Sequence, residues 1–376
     1  MRKWTFHRRT PQSMIPNPPG GVELHSPTLP PDVAPRTVPS EWKSLVAKFQ
    51  IPSRWRAIVQ LVDTLLPYAL LWVLMYFTMS VSWWLTIPLA MVAGGLLVRI
   101  FIIFHDCGHG SFFKSRRAND ITGFICGVLN FTPYVHWRWE HSLHHASSGD
   151  LDRRGVGDIW TMTVDEYLAS SRGKRLAYRL VRNPFFLLVI GPLYLFLVQM
   201  RIPSPRATAR ERKSVHVMNL AVLLMVSSMV WIFGWKQYLL IQLIVTMTAG
   251  AAGVWLFYVQ HQFEDVYWER REEWDFATAA LHGSSFYKLP KVLQWFSGNI
   301  GFHHIHHLSS RIPNYNLERC HKSHPLFSSV KPLTVTSSLK SLTFRLWDEP
   351  KRRLVSFRQI RHLPRIPKGL ENAGSR

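Results

Sequence analysis

The chain is built around the run Gly301-Phe302-His303-His304-Ile305-His306-His307-Leu308. If this run is helical, His303, His306 and His307 at i, i+3 and i+4 project from one face within a single turn. Three imidazoles that converge on one point are typical of a metal site. The run therefore predicts a short helix whose histidines bind a metal ion.

Two further histidine clusters precede this run. His141, His144 and His145 repeat the His-x-x-His-His spacing, and His105 and His109 form a looser His-x-x-x-His pair. With 18 His among 376 residues, chance predicts about 0.04 triplets of this spacing but about 0.9 pairs. Two triplets are therefore a strong signal for metal binding, whereas the pair alone carries no weight.

The composition favours a membrane protein. Hydrophobic residues make up 47% of the chain, and the 16 Trp and 22 Phe accompany long apolar runs. A net charge of +22 would suggest a nucleic-acid partner in a soluble protein, but no zinc-finger, RNP or helix-turn-helix pattern accompanies it. A basic cytoplasmic face explains the charge instead. The three cysteines are too widely spaced for a disulfide framework or a thiolate zinc site.

Three regions are predicted along the chain. Residues 1–56 are rich in proline and basic residues and form a mostly extended cytoplasmic N-terminal tail. Residues 57–330 form a membrane domain that carries the histidines, and residues 331–376 form a basic C-terminal surface tail. The start of the chain does not read as a signal peptide, because no apolar core and cleavage site follow its charged residues.

Four apolar segments have the ~20 residues that a membrane-crossing helix needs. They are residues 57–80, 81–104, 215–234 and 236–260, which form two hairpins. Asp63 and Arg99 lie within the first hairpin. We expect both near an interface, where the long side chain of Arg99 snorkels toward water.

Residues 184–200 are also apolar but are predicted not to cross. They contain Pro184 and Pro192 and are flanked on both sides by basic loops. An even number of crossings must also separate the second and third histidine clusters, because both must face one metal site. The sequence thus predicts an all-α membrane protein with four transmembrane helices, a cytoplasmic histidine-rich cap, membrane-surface helices and both termini in the cytoplasm.

Eight histidines in three clusters exceed the needs of one tetrahedral zinc ion, which takes four ligands in structural sites and usually three in catalytic sites. Two metal ions are therefore expected. Imidazole suits zinc, copper, iron and nickel alike, so the ligand type alone does not name the metal.

The three clusters, their order and their place after membrane hairpins resemble the membrane-bound fatty acid desaturases, a family that holds two irons with histidines. The likeness covers about residues 57–330 and is specific for the superfamily, but not for the bond that is desaturated. Other stretches resemble acyl-lipid desaturases of the delta-12 or omega-6 type: Phe131-Thr132-Pro133-Tyr134, Gly149-Asp150-Leu151-Asp152, Gln260-His261-Gln262-Phe263-Glu264, Gly283-Ser284-Ser285 and Gly298-Asn299-Ile300-Gly301.

The resemblance implies that O2 is activated at two irons, that hydrogen is removed from an unactivated methylene, and that a cis double bond and water form. No acid or base side chain ionises such a C–H bond, so the cofactor carries that step while the protein positions the acyl chain in a narrow apolar tunnel. The implied iron ligands are His105, His109, His141, His144, His145, His303, His306 and His307.

The resemblance also implies a membrane-lipid acyl substrate and an external electron donor of the ferredoxin or cytochrome b5 type. The chain lacks the His-Pro-Gly-Gly of a fused cytochrome b5 domain and the Gly-x-Gly-x-x-Gly of a dinucleotide loop. A basic cytoplasmic surface suits an acidic donor, and salt should weaken this attraction.

A ninth ligand is predicted at His261, which follows the second hairpin as His105 follows the first. The resemblance agrees, because desaturases of known fold have an additional histidine between the last span and the third box, and Tyr258-Val259-Gln260-His261 resembles that segment. Phe257 departs from the animal acyl-CoA branch, where an Asn at this place holds a metal-bound water. His282 is the rival, since it also lies between the last span and the third cluster.

Several polar residues near the clusters are candidates to orient the imidazoles through their free ring nitrogens, although each suits an ordinary surface or capping role as well. They are Asp106, Glu140, Asp158, Glu264 and Asn299. The other histidines are predicted not to be ligands. Among them, His304 points about 100° away from its neighbour on a helix.

Two alternative functions stay open at this point. Hydroxylases and ketolases of alkanes or carotenoids use similar boxes, and their products would contain inserted oxygen. A zinc transporter would need ionisable residues deep within its crossing helices, whereas these histidines lie at helix ends. A membrane zinc protease is disfavoured because His-Glu-x-x-His is absent.

Overall fold

This computed structural model describes residue 38 and residues 40–363, so the features predicted for residues 1–37, 39 and 364–376 lie outside it. The described chain is mostly helical. Its helices are α1 (Trp42–Ala47), α2 (Arg54–Thr78), α3 (Trp83–His109), α4 (Arg116–Leu129), α5 (Tyr134–Ser147), α6 (Val164–Ala169), α7 (Arg172–Val181), α8 (Gly191–Leu197), α9 (Ala209–Phe233), α10 (Trp235–His261), α11 (Phe276–His282), α12 (Lys291–Phe296), α13 (His303–Leu308), α14 (Asn314–His321), α15 (Pro325–Ser328) and α16 (Val335–Ser338).

The strands are short. They are β1 (Met162–Thr163), β2 (Phe286–Lys288), β3 (Pro332–Thr334), β4 (Leu346–Asp348) and β5 (Arg353–Val355). A π-helical turn at Phe186–Ile190 leads into α8, and 3-10 turns lie at Gln199–Arg201 and Leu339–Thr343.

Helices α2, α3, α9 and α10 are each long and apolar enough to cross a membrane. They have 25, 27, 25 and 27 residues and match the four predicted spans in place. Ser53 and Ser82 stabilise the start of the first two, because their side-chain oxygens accept backbone N–H groups of the first turn. Helix α7 and Phe186–Arg201, which are bent by 68°, raise the number to five if they are counted as one span.

Helix α3 is the central helix of this bundle. Within its most apolar window 61% of the residues are buried, compared with 17–28% in the other three long helices. Gly94 permits a close approach of α10, because a Cβ at this position would lie 2.6 Å from Cβ of Thr248. The outer faces of the long helices expose large apolar side chains, including Leu223, Leu224 and Trp231.

Arg99 is buried, and its guanidinium contacts other residues of the protein, so the prediction that it snorkels toward water is wrong. Its Nε donates a 2.9 Å hydrogen bond to Oγ1 of Thr64, and its Nη1 donates to the carbonyl oxygen of Trp295. The guanidinium lies 3.5 Å from a carboxylate oxygen of Asp63 and 4.2 Å from the ring centre of Trp295. Partners within the protein replace the polar surroundings that snorkelling would reach.

Residues 134–170 and 262–363 form what we call the cap. Strands β1, β4 and β5 form one sheet in that order, in which Met162 pairs with Leu346 in parallel, and β2 pairs in parallel with β3. Trp347 on β4 is only 1% exposed. Strands β4 and β5 therefore pack into the cap, although residues 331–376 are predicted to form a surface tail.

Candidate metal centre

Nine histidines from four helices meet where the long helices end and the cap begins. His105 and His109 lie in the last turns of α3, which ends at Gly110 in the left-handed conformation (φ 69°), and His261 ends α10. Helix α5 carries His141, His144 and His145, and α13 carries His303, His306 and His307. The predicted helix at the central run is thus confirmed, and all nine predicted metal-site histidines come together.

These side chains divide into two groups, each with ligand atoms within 4.8 Å of one another. The five-histidine group is His105, His109, His141, His145 and His306. The four-histidine group is His144, His261, His303 and His307. The expectation that each triplet converges on one point is wrong, because each triplet gives its i, i+4 pair to one group and its i+3 member to the other. Positions i+3 and i+4 are about 100° apart around a helix, so they face different groups.

The spacing of the nitrogens fits one metal ion in each group. In the five-histidine group, Nε2 of His145 lies 3.1 Å from Nε2 of His141 and 3.0 Å from Nε2 of His306. An imidazole nitrogen lies about 2.1 Å from a divalent metal, so two ligands at right angles are about 3.0 Å apart. Five histidines also exceed the four ligands of tetrahedral zinc.

The four-histidine group has the same spacing. Nε2 of His261 lies 3.2 Å from Nε2 of His144 and 3.0 Å from Nε2 of His303. In the described part of the chain, Nε2 of His109 and of His307 are buried and have no hydrogen-bond partner. Buried ring nitrogens without a partner are costly in a protein interior and are the atoms that a metal would satisfy.

Burial favours the neutral form of the cap histidines. Removal from water lowers the pKa well below 6.5 in His141, His145, His303, His306 and His307. Neighbouring imidazoles lower these pKa values further, because a second positive charge nearby is unfavourable. Neutral imidazole is the form that binds metals.

Two carboxylates contact the Nδ1 atoms of two metal-site histidines, one in each group. Oδ1 of Asp106 lies 3.1 Å from Nδ1 of His105, while its Oδ2 accepts hydrogen bonds of 2.6 and 2.9 Å from the backbone and side-chain N–H groups of Asn314. Oδ1 of Asp158 lies 2.5 Å from Nδ1 of His144. Each carboxylate favours a proton on Nδ1 and leaves Nε2 free for a metal. Asn314 was missed from the sequence because 208 positions separate it from Asp106.

The ring of His261 has backbone and hydroxyl partners instead. Its Nδ1 lies 3.3 Å from the carbonyl oxygen of Gly283 and 3.5 Å from Oγ of Ser148. The ring centre of Phe257, one turn earlier on α10, lies 5.3 Å from that of His261 and 5.2 Å from that of His144. An apolar ring therefore covers this side of the four-histidine group.

The remaining candidates have other partners. A carboxylate oxygen of Glu140 lies 3.7 Å from Nδ1 of His136, and Glu264 pairs with Lys340. The side-chain oxygen of Asn299 accepts a 3.1 Å hydrogen bond from the side chain of a neighbouring glutamine. These three positions give no support for a role beside the histidine groups.

His304 and His282 belong to neither group. Nε2 of His304 lies 3.1 Å from Nδ1 of His321 and 3.3 Å from the carbonyl oxygen of Phe327. The backbone carbonyl of His282 accepts a 3.0 Å hydrogen bond from the N–H of Tyr267. Their exclusion agrees with the choice of His261 over His282.

An apolar cavity of about 430 Å³ reaches the centre from the long helices. His141 and Asp158 belong to its wall, as does Trp137, whose ring stacks on that of His141 at 4.4 Å between centres. Its apolar lining includes Leu97, Phe101, Phe196, Met200 and Val254. A second pocket of about 490 Å³ reaches His109, His145 and His307 and is also lined by Trp42, Lys43 and Arg311. The sequence did not indicate which residues line either space.

Residues 82–329 match the family model described as fatty acid desaturase. The fatty acid desaturase of Bacillus subtilis is 50% identical over 319 residues, which are 85% of this chain and 91% of that protein. The sn-1 oleoyl-lipid 12-desaturase of Synechocystis sp. is 28% identical over 251 residues (64% of this chain, 68% of that protein), and the chloroplastic omega-6 fatty acid desaturase of Spinacia oleracea is 25% identical over 305 residues (78% and 64%). With this match across most of its length and histidines gathered at one end of an apolar cavity, the chain belongs to the fatty acid desaturase family.

Proposed function

We propose that this protein introduces a cis double bond into the acyl chain of a membrane lipid, using O2 at two irons and electrons from an external protein. The observation that carries the proposal is that two convergent histidine groups adjoin an apolar cavity whose wall includes His141. Membership of the desaturase family supports the reaction class.

The proposed ligands are all nine histidines. The five-histidine group would hold one iron, and the four-histidine group, which includes His261, would hold the other. Asp106 and Asp158 would orient one ring in each group. Such outer partners fix both the tautomer and the direction of a ligand.

The irons and O2 supply the oxidising power that no side chain has toward an unactivated C–H bond. The reaction removes two hydrogen atoms from the acyl chain, and reduction of O2 to two waters takes two further electrons and two protons from outside. The role of the protein itself is to place two neighbouring methylenes beside the histidines and to exclude water. The apolar walls formed by Leu97, Phe101 and Phe196 serve both purposes.

We place the new double bond at the delta-12 or omega-6 position. The Synechocystis and spinach relatives carry this specificity in their names, whereas the Bacillus subtilis relative is named only as a fatty acid desaturase. The stretch Phe131-Thr132-Pro133-Tyr134, which resembles such enzymes, places Phe131 in the cavity wall.

The second pocket is the proposed approach for the external electron donor. Lys43 and Arg311 at its lining are positive, Trp42 is apolar, and the pocket reaches three of the histidines. An acidic ferredoxin or cytochrome b5 would be attracted to these charges. Turnover with the protein donor should therefore fall as salt rises, while turnover with a small chemical reductant should not. Turnover of the pure protein with NADPH alone would contradict the need for a donor protein.

We further propose that the four long helices cross the membrane as two hairpins, with the cap, both histidine groups and both termini in the cytoplasm. In this arrangement Phe186–Arg201 turns back without crossing. The three native cysteines are buried, so a thiol reagent should label only the added cysteines. Lys174→Cys and Arg206→Cys should both react with a reagent applied from the cytoplasmic side, and labelling from opposite sides would contradict four crossings.

Expression in a host that lacks polyunsaturated lipids tests the reaction. Gas chromatography should show a new doubly unsaturated fatty acid with the active protein but not with His306→Ala, which should also lose iron. An oxygenated product would identify a hydroxylase or ketolase instead. Stoichiometric zinc in protein purified in active form would overturn the two-iron centre.

A further inference from the structure

A pocket rich in arginine lies between the cap and α7, away from the histidine groups. It has a volume of about 370 Å³ and lies between α6, α7 and the segment 357–363. We call it the arginine pocket. Its charged lining is Arg172, Arg175, Arg179 and Arg361, and its apolar and aromatic lining includes Tyr167, Leu168, Leu176, Phe357, Ile360 and Leu363. Among the described residues, no Asp or Glu lines it.

Within residues 40–363, the four guanidinium groups have no carboxylate partner. In the part of the chain that the structure describes, none of them forms an ion pair with Asp or Glu. Nε of Arg179 donates a 2.6 Å hydrogen bond to the hydroxyl of Tyr167, and its guanidinium lies 5.1 Å from the ring centre of Phe357. Four cations held together without an acid repel one another, and an anion between them would remove that repulsion.

The outward face of α7 is apolar. Leu176 is 59% exposed, Leu180 is 41% exposed and Val181 is 46% exposed, and Phe185 beyond the helix end is 59% exposed. The opposite face is anchored by Tyr178, which is fully buried. A helix with exposed leucines beside a row of arginines suits the boundary between lipid tails and headgroups. The apolar turn Phe186–Ile190 begins four residues after α7 ends, so in the membrane arrangement proposed above, on which this inference rests, α7 lies next to a segment that contacts lipid.

We infer that the arginine pocket binds the phosphate of an anionic phospholipid headgroup at the membrane surface. Arg172, Arg175 and Arg179 stand at i, i+3 and i+7, so one face of α7 presents three forked donors, and Arg361 adds a fourth from the C-terminal segment. Leu168, Leu176 and Leu363 beside them contact the glycerol and first methylenes. An acidic soluble protein fits less well, because the exposed leucines of α7 would then lie in water.

Binding of defined lipids to the purified full-length protein tests this site. Native mass spectrometry of the detergent-solubilised protein, titrated with phosphatidylglycerol or phosphatidylcholine, measures the apparent Kd of each. The pocket variant is Arg175→Gln/Arg361→Gln. The matched control is Lys174→Gln/Arg358→Gln, which removes the same charge from the same two segments at exposed positions outside the pocket lining. Unchanged thermal unfolding of both variants shows that they fold.

We expect the pocket variant to lose phosphatidylglycerol affinity by about tenfold, the control by much less, and neither to change phosphatidylcholine binding. Equal losses in both variants would show that only the general positive charge of the cap attracts the lipid and would overturn the site. Competition by millimolar inorganic phosphate that abolishes lipid binding would assign the pocket to free phosphate instead. Loss of affinity for an acidic ferredoxin in the pocket variant, with unchanged lipid binding, would identify a protein-docking surface.

Discussion

Oδ1 of Asp158 lies 2.5 Å from Nδ1 of His144, and Nε2 of the same ring lies 3.2 Å from Nε2 of His261. Asp158 reaches this place from a tight loop at Gly157, which has φ 71°. A Cβ at Gly157 would lie 3.2 Å from the carbonyl oxygen of Glu140 and 3.3 Å from Cβ of His144. The loop can therefore press against α5 only because this residue is glycine.

Asp158→Asn should weaken the metal site of the four-histidine group. The amide is neutral and holds Nδ1–H of His144 less strongly, so we expect a loss of about 10- to 100-fold in metal affinity. Iron analysis after dialysis against a chelator measures the loss. Glu264→Gln is the control, since Glu264 pairs with Lys340 at the surface. Equal retention of iron by the two variants would show that Asp158 does not support the site.

His261→Ala should remove one iron, and His282→Ala should not. His261 belongs to the four-histidine group, and its loss leaves three ligands there, while the five-histidine group is intact. Iron content should fall from about two to about one per chain and activity should disappear. Full activity and full iron in His261→Ala, with loss of both in His282→Ala, would show that the wrong histidine has been assigned.

Gly253→Leu should obstruct the apolar cavity in which we propose that the acyl chain lies. Gly253 lines that cavity, and a Cβ added there would meet no atom within 4 Å, so a side chain at this position would begin in open space. We expect conversion of acyl chains to fall by about tenfold, with iron retained. Fatty-acid profiles of whole cells measure the conversion.

Gly253→Ala is the matched control for the cavity, because it adds only one methyl group and favours the helix by up to about 1 kcal/mol. It should stay active with thermal stability unchanged or raised. If Gly253→Leu converts long chains as well as the parent does, the acyl chain lies elsewhere.

Arg182→Met should destabilise the junction between α7, α10 and the C-terminal segment. Nη2 of Arg182 donates hydrogen bonds of 2.7 Å to Oε1 of Gln262 and 3.0 Å to the carbonyl oxygen of Phe344, and the guanidinium lies 5.1 Å from the ring centre of Tyr258. Removing it leaves the buried Oε1 of Gln262 without its donor, which should cost about 1–3 kcal/mol, whereas the carbonyl oxygen of Phe344 still accepts a 3.1 Å hydrogen bond from the hydroxyl of Tyr258. Thermal unfolding in detergent checks this, with exposed Arg358→Met as a control that should leave the Tm unchanged.

The local periodicity of the sequence was enough to predict the four long helices and the histidine clusters. An apolar run of about 20 residues and a His-x-x-His-His spacing are both short-range patterns, so they can be recognised without knowledge of the fold. The same reasoning predicted His261, because it follows the second helical hairpin as His105 follows the first and should therefore lie on the same side of the bundle. The match with the desaturase family confirms the reaction class that the resemblance of these clusters to that family implied.

The tertiary structure alone decided how the histidines are shared. His144 joins His303 and His307, while its neighbour His145 joins His306, because α5 and α13 face each other and the angle of about 100° between i+3 and i+4 sends adjacent rings to different groups. The burial of Arg99 against Asp63 and the contact of Asp106 with Asn314 also join residues far apart in the chain. Such pairings depend on how whole helices pack, and no local pattern in the sequence encodes that geometry.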